Sequence, residues 1–146
     1  MAFLVFLIAC GAAGTTGVLF KPGEWYAALK KPGFTPPDWA FPVAWSLIYL
    51  LLAGAGYRLS TLPGSQFALA LWAAQIALNT LWTPVFFGAH KLFVALVVLA
   101  LLWLVTAALL VAAFSLDALA GWMLVPYLVW LSLAAALNFR LWRDNP

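Results

Sequence analysis

Polar side chains are so sparse along this chain that its hydrophobic pattern reads as long blocks rather than as a periodic stripe. Five blocks stand out, at about residues 2–20, 41–57, 65–87, 92–116 and 118–142. Crossing a hydrocarbon core takes about 20 apolar residues in a helix. Backbone groups cannot stay unpaired in lipid, so such blocks must be helices or closed-barrel strands. These runs are apolar on every face, which excludes the alternating strands of a barrel. The pattern predicts an all-α integral membrane protein, one domain over residues 1–146 built as a bundle of five transmembrane helices. The last two helices meet at Ser115-Leu116-Asp117, so their connection is very tight.

Residues 21–40 form the one extended stretch outside these blocks. Pro22, Pro32, Pro36 and Pro37 with Gly23 and Gly33 rule out a continuous helix there. The same stretch carries Trp25, Tyr26, Phe34 and Trp39, four aromatics that a merely solvated loop does not need. It is expected to fold back as a lid over one end of the bundle, with a short helix near residues 24–29. With five spans, the N-terminus, the 58–64 loop and the Asp117 turn share one side, which carries only Arg58. Lys21, Lys30, Lys31, Lys91, Arg140 and Arg143, six of the seven basic residues, fall on the other. The positive-inside rule then puts the N-terminus out and the C-terminus and lid in the cytoplasm.

Composition agrees. The chain is 67% hydrophobic and 8% charged, against about 25% charged in soluble domains. Nine Trp residues suit membrane interfaces and apolar pockets. The net charge of +3, with no basic patch among aromatics, makes nucleic acid an unsuitable partner. The single Cys10 excludes an internal disulfide and a multi-cysteine metal site. It follows Leu7-Ile8-Ala9 as in a lipoprotein cleavage box, but no basic residue precedes it, so it reads as a small apolar residue of the first helix. His90, beside Lys91, reads as a solvated loop histidine.

Polar groups within spans are costly and therefore informative. Gln75, Asn79, Trp82 and Thr83 share one face of the third span, at i, i+4, i+7 and i+8. Trp130, Ala134, Leu137 and Asn138 repeat that spacing in the fifth, and Trp45 and Tyr49 stand four apart in the second. One reading is that the amides simply hydrogen-bond between helices, at about 1 kcal/mol each. The other is a lining for a flat, aromatic, amphipathic ligand, which stacks on indoles and is oriented by a few donors. Asp117 reads as the N-cap or first-turn residue of the fifth span, and Pro126 as a kink within it. Gly11, Gly14 and Gly17, and the pairs Ala70/Ala74 and Ala73/Ala77, permit close helix contact within the bundle or between subunits. No Ser-His-Asp set, carboxylate pair, phosphate-binding loop or metal-ligand cluster stands out.

The run Lys31-Pro32-Gly33-Phe34-Thr35-Pro36-Pro37, with Trp25-Tyr26 before it and Trp45 and Tyr49 after, resembles the tryptophan-rich sensory protein family (TspO/MBR; translocator protein or peripheral benzodiazepine receptor). Gln75/Asn79/Trp82 with Phe86-Phe87-Gly88, and Pro126-Tyr127 with Trp130 and Leu137-Asn138, extend the likeness over the whole chain. The resemblance implies a five-helix bundle, commonly a homodimer, with a pocket opening toward the first linker. Implied ligands are porphyrins such as protoporphyrin IX, haem, sterols, and benzodiazepine- or isoquinoline-type compounds. None is a resident cofactor. By the same resemblance Tyr26, Trp45, Tyr49, Gln75, Asn79, Trp82, Tyr127, Trp130, Ala134, Leu137 and Asn138 line the pocket. Trp45 and Trp130 match two tryptophans credited in some bacterial members with light- and oxygen-dependent porphyrin breakdown. Two departures stand out. The fourth span reads Leu96-Val97-Val98 where some members carry an acid, and Phe139 stands where the sterol motif of animal members has Tyr. The proline-rich linker looks bacterial and the ending Trp142-Arg143-Asp144-Asn145 looks animal; a bacterial membrane is the expectation. Three functions follow for test: a porphyrin-binding sensor, a porphyrin-degrading enzyme and, last because five spans offer no inverted halves, a transporter.

Overall fold

The computed structural model describes residues 2–19 and 23–145, with side chains for residues 3–16, 19 and 23–145. Phe20, the end of the first expected span, and Lys21 and Pro22, the start of the expected linker, lie outside the described residues. Among the described residues, six α-helices run in order: α1 (Ala2–Leu19), α2 (Glu24–Ala28), α3 (Ala40–Ser60), α4 (Gln66–Thr83), α5 (Leu92–Leu116) and α6 (Ala118–Asp144). A π turn at Pro84–Gly88 continues α4. Among the described residues, four stretches, Ala40–Ser60, Gln66–Gly88, Leu92–Leu116 and Ala118–Asp144, are long and apolar enough to cross a membrane; the apolar stretch Phe3–Thr16 of α1 is shorter. Helix α3 continues to Ser60, three residues past its expected end, because its last turn is closed by Thr61 N–H donating to Arg58 O.

Large apolar side chains point both inward and outward. Leu52, Leu99, Leu102, Leu124 and Leu131 are buried, while Leu47, Leu104, Val111 and Val129 are exposed. That double-sided apolarity is expected where the surroundings are lipid, which gives little reason to hide apolar surface between helices. Close packing and interhelical hydrogen bonds then set the arrangement. Helices α5 and α6, joined through Asp117, pack most extensively, followed by α4 on α5 and α1 on α3. The α1–α3 approach depends on Gly56, where an added Cβ would lie 2.5 Å from the Phe6 ring. Phe6 in turn meets Trp72 edge to face at 4.9 Å, and the Trp72 indole N–H donates to Leu52 O (2.9 Å), tying α4 to α3.

Asp117 caps α6 as its position predicts, accepting from Leu119 N–H at 3.3 Å. It also accepts from Arg58 Nε at 2.6 Å, so one carboxylate joins the end of α3 to the α5–α6 turn. Pro126 lies within α6, which remains one helix throughout. The linker expected to act as a lid is, over the described residues, short helix α2 followed by turns closed on Pro32 and Pro37, whose carbonyls accept from Thr35 and Ala40 N–H.

Candidate functional site

Helices α3, α4 and α6 carry the aromatic and amide positions to one end of the bundle, where α2 covers them. The outer cavity there has about 350 Å³ of free space, including what opens to the outside. Phe41 and Trp45 come from α3, Trp82 from α4, Phe86 and Phe87 from the π turn, and Trp130, Ala134, Leu137 and Asn138 from α6; Tyr26 roofs it from the lid. A smaller inner cavity, with about 210 Å³ of free space counted the same way, shares Trp45, Trp82 and Ala134 and adds Asn79 with Leu99 and Leu102 of α5.

The walls are built ring against ring. Trp45 meets Trp130 edge to face at 6.3 Å (86°) and stacks on Tyr49 at 5.6 Å. Phe41 closes on Trp130 at 5.7 Å, and Trp82 on Phe86 at 4.9 Å. Each such contact contributes about 0.5–1.5 kcal/mol beyond area burial, so the lining keeps its shape without a ligand. Helix α2 sets Tyr26 against Phe87 (5.5 Å) and lays Trp25 flat on His90, with centroids 4.1 Å apart and planes 6° from parallel. Burial, then the nearby Asp38, holds the Tyr26 phenol above its usual pKa, so it covers the cavity as a neutral group. His90 is exposed, as expected of a loop residue, but it serves as the platform for Trp25 and adopts the left-handed conformation (φ 58°).

Behind the rings runs a hydrogen-bond chain across three helices. Tyr49 O–H donates to Asn79 Oδ1 (2.9 Å), Asn79 Nδ2 to Tyr127 Oη (2.9 Å), and Tyr127 O–H to Gln75 Oε1 (2.8 Å). A second chain passes from Trp82 Nε1 to Asn138 Oδ1 (3.1 Å) and from Asn138 Nδ2 to Leu92 O (3.0 Å). Asn79 and Asn138 therefore bridge helices, as the packing reading expects, and also present a side to the cavities. Three buried polar atoms lack a partner among the described residues: Gln75 Nε2, Thr106 Oγ1 and Trp130 Nε1. The last belongs to a cavity-lining residue. An indole N–H can only donate.

Of the residues expected to line a pocket, Tyr26, Trp45, Trp82, Trp130, Ala134, Leu137 and Asn138 line the outer cavity, and Asn79 the inner one. Tyr49, Gln75 and Tyr127 stand one layer behind, holding Trp45 and Asn79 in place, with Gln75 completely buried. Phe41, Phe86, Phe87, Leu99 and Leu102 were not expected. Phe41 had a signal, since it continues the Trp45/Tyr49 spacing backward by four. The adjacent Phe86 and Phe87 both face the cavity because the π turn admits an extra residue, a geometry often found at functional sites. Leu99 and Leu102 come from a helix apolar all round, where nothing distinguishes one face. Among the described residues, no group of three His, Cys, Asp or Glu side chains could hold a metal ion.

The TspO/MBR family model matches residues 3–143. The chain is 51% identical over 148 residues to Protein CrtK of Rhodobacter capsulatus, covering 99% of this chain and 92% of that protein. It is 52% identical over 143 residues to the tryptophan-rich sensory protein of Cereibacter sphaeroides, covering 98% and 90%. Against the translocator protein of Homo sapiens it is 39% identical over 137 residues, covering 88% and 81%. With several apolar helices and a family match over nearly its whole length, this is a multi-pass integral membrane protein that belongs to the TspO/MBR family.

Proposed function

We propose that this protein is a membrane receptor or sensor that binds a porphyrin, such as protoporphyrin IX or haem, in the aromatic cavity beneath the lid. The observation that carries the reading is Trp130. Its indole N–H is buried without an acceptor, on the wall of a cavity otherwise lined by rings. A buried donor left unpaired costs about 1–3 kcal/mol, and a flat ligand with acceptor atoms offsets that cost as it stacks. Asn79 and Asn138 add oriented amides, and Phe41, Phe86 and Phe87 add apolar area. Sterols and benzodiazepine- or isoquinoline-type compounds share the required shape, an apolar body with few acceptors. Leu137 and Asn138 of the sterol-motif segment face the cavity, while Phe139 points outward.

In the same reading α1 is a fifth span, the N-terminus lies outside, and the lid and C-terminus face the cytoplasm of a bacterial cell. A homodimer is supported by Ala70, Ala73, Ala74 and Ala77, all exposed on the outer face of α4, where small side chains allow a second helix close. A second reading, light- and oxygen-dependent porphyrin breakdown, is favoured by the edge-to-face Trp45/Trp130 pair on the cavity wall. Product formation should then require both indoles; equal bleaching by both Trp→Phe variants would reduce it to ordinary photosensitisation.

The binding reading is tested by titrating protoporphyrin IX in the dark and following its Soret band. Wild type should saturate at micromolar porphyrin, and Trp45→Phe, Asn79→Ala and Trp130→Phe should each weaken binding. Unchanged binding in all three variants would remove the site from this cavity.

A further inference from the structure

We propose that Asn145 is the latch of the lid: its carboxamide holds the lid closed and limits the rate at which ligand reaches the cavity. Lys30 N–H donates to Asn145 Oδ1 (2.9 Å), and Asn145 Nδ2 donates back to Lys30 O (3.0 Å). The two residues are 115 positions apart, so the pairing joins the lid directly to the C-terminal end of α6. Nδ2 also donates to Leu141 O (3.0 Å), which fixes the carboxamide on the last turn of that helix. A carboxamide alone among side chains offers a donor and an acceptor in one plane and so pairs with a peptide group in both directions.

Apart from the local turn in which Ala40 N–H donates to Pro37 O, these are, among the described residues, the only hydrogen bonds between residues 23–38 and the helices. The other lid contacts are ring and apolar contacts: Trp25 on His90 and Phe86, Tyr26 on Phe86 and Phe87, the Arg140 guanidinium over Phe34, and Leu29 against the cluster of Leu137 and Leu141. Such contacts tolerate sliding, whereas a two-way peptide pairing is made or broken. The about 350 Å³ of free space at the outer cavity includes what opens to the outside, so the enclosed part is well below the about 300–1,000 Å³ of pockets that take drug-sized ligands. A tetrapyrrole therefore requires Tyr26 to move outward, and that movement carries Lys30 away from Asn145. The ligand-rate part of this proposal rests on the binding reading above; the latch itself does not.

Two measurements on wild type, Asn145→Ala and Arg143→Ala in detergent decide it. Arg143→Ala is the control, because Arg143 pairs with Asp144 on the same turn and, among the described residues, has no hydrogen bond to the lid. In hydrogen–deuterium exchange without ligand, Asn145→Ala should speed exchange of the peptide spanning residues 23–31 about fivefold or more; Arg143→Ala should leave it unchanged. In stopped-flow mixing with protoporphyrin IX in the dark, Asn145→Ala should raise the association rate constant about threefold or more. A side chain that only supports the pocket would instead lower affinity through faster dissociation. Unchanged lid exchange in Asn145→Ala, or equal acceleration in Arg143→Ala, would overturn the latch. Faster exchange with an unchanged association rate would overturn its control of access. If porphyrin binds none of the three proteins, the binding reading fails and the exchange result still decides the latch.

Discussion

Replacing Tyr127 with phenylalanine removes one oxygen from the middle of the bundle and leaves the ring where it is. That oxygen accepts from Asn79 Nδ2 and donates to Gln75 Oε1, and the residue is 1% exposed. Both bonds cross between α4 and α6. Interhelical hydrogen bonds in membrane proteins contribute about 0.6–2 kcal/mol each. Gln75 suffers most, since its Nε2 already lacks a partner and its position is fully buried. Losing the Oε1 contact strands the whole carboxamide, and a buried group without partners costs about 1–3 kcal/mol. Tyr127→Phe should therefore destabilise by about 2–3 kcal/mol in all. At about 2–4 °C per kcal/mol for a chain of this size, Tm should fall by about 4–12 °C, read by circular dichroism in detergent. Adding Gln75→Met removes the stranded amide and should restore at least about 1 kcal/mol. The two substitutions must be strongly non-additive. A Tyr127→Phe variant within about 0.5 kcal/mol of wild type, or a double variant whose cost equals the sum of the singles, would refute the hydrogen-bond chain.

Gly56→Ala should destabilise by about 1–3 kcal/mol in the same unfolding assay, because the new Cβ would lie 2.5 Å from the packed Phe6 ring. Gly54→Ala should cost less, since its 2.6 Å neighbour is the end of the flexible Met123 side chain. Arg58, through its hydrogen bond and then its charge, holds the Asp117 carboxyl below the usual carboxylate range. A lowered folded-state pKa gives stabilisation that is present above the unfolded value near pH 4 and lost as pH falls through the folded value. The Tm difference between wild type and Asp117→Asn, which keeps the cap, should thus be present at about pH 6 and vanish in strong acid. A difference that persists there would show that the carboxylate charge is not its source.

The blocks of apolar sequence made the long helices legible because lipid allows a spanning segment few other forms. Stripe spacing made Trp45, Asn79, Trp82, Trp130 and Asn138 legible as residues brought together. Spacing does not say which member of a stripe faces the cavity and which supports it from behind. Tyr49, Gln75 and Tyr127 took the supporting places because their polar ends reach one another across helices, a fact of tertiary geometry. The π turn was illegible for a related reason: an extra residue in a helical turn shifts register without changing composition. The Asp117 cap was readable locally, whereas its Arg58 partner is 59 residues away and appears only when α3 meets the α5–α6 turn. His90 was readable as an exposed loop residue, yet its stacking on Trp25 depends on where the lid comes down.

In the proposed function a porphyrin occupies the cavity walled by Trp130. The most direct test is quenching of intrinsic Trp fluorescence by protoporphyrin IX in the dark, comparing wild type, Trp130→Phe and Trp122→Phe. Trp122 is 63% exposed and lines neither cavity, so it reports nonspecific encounter in the micelle. Quenching should saturate at micromolar porphyrin in wild type and Trp122→Phe, and shift to markedly higher concentration in Trp130→Phe. Linear, non-saturating quenching that is the same in all three proteins would mean that porphyrin only partitions into the micelle and that the rings serve helix packing.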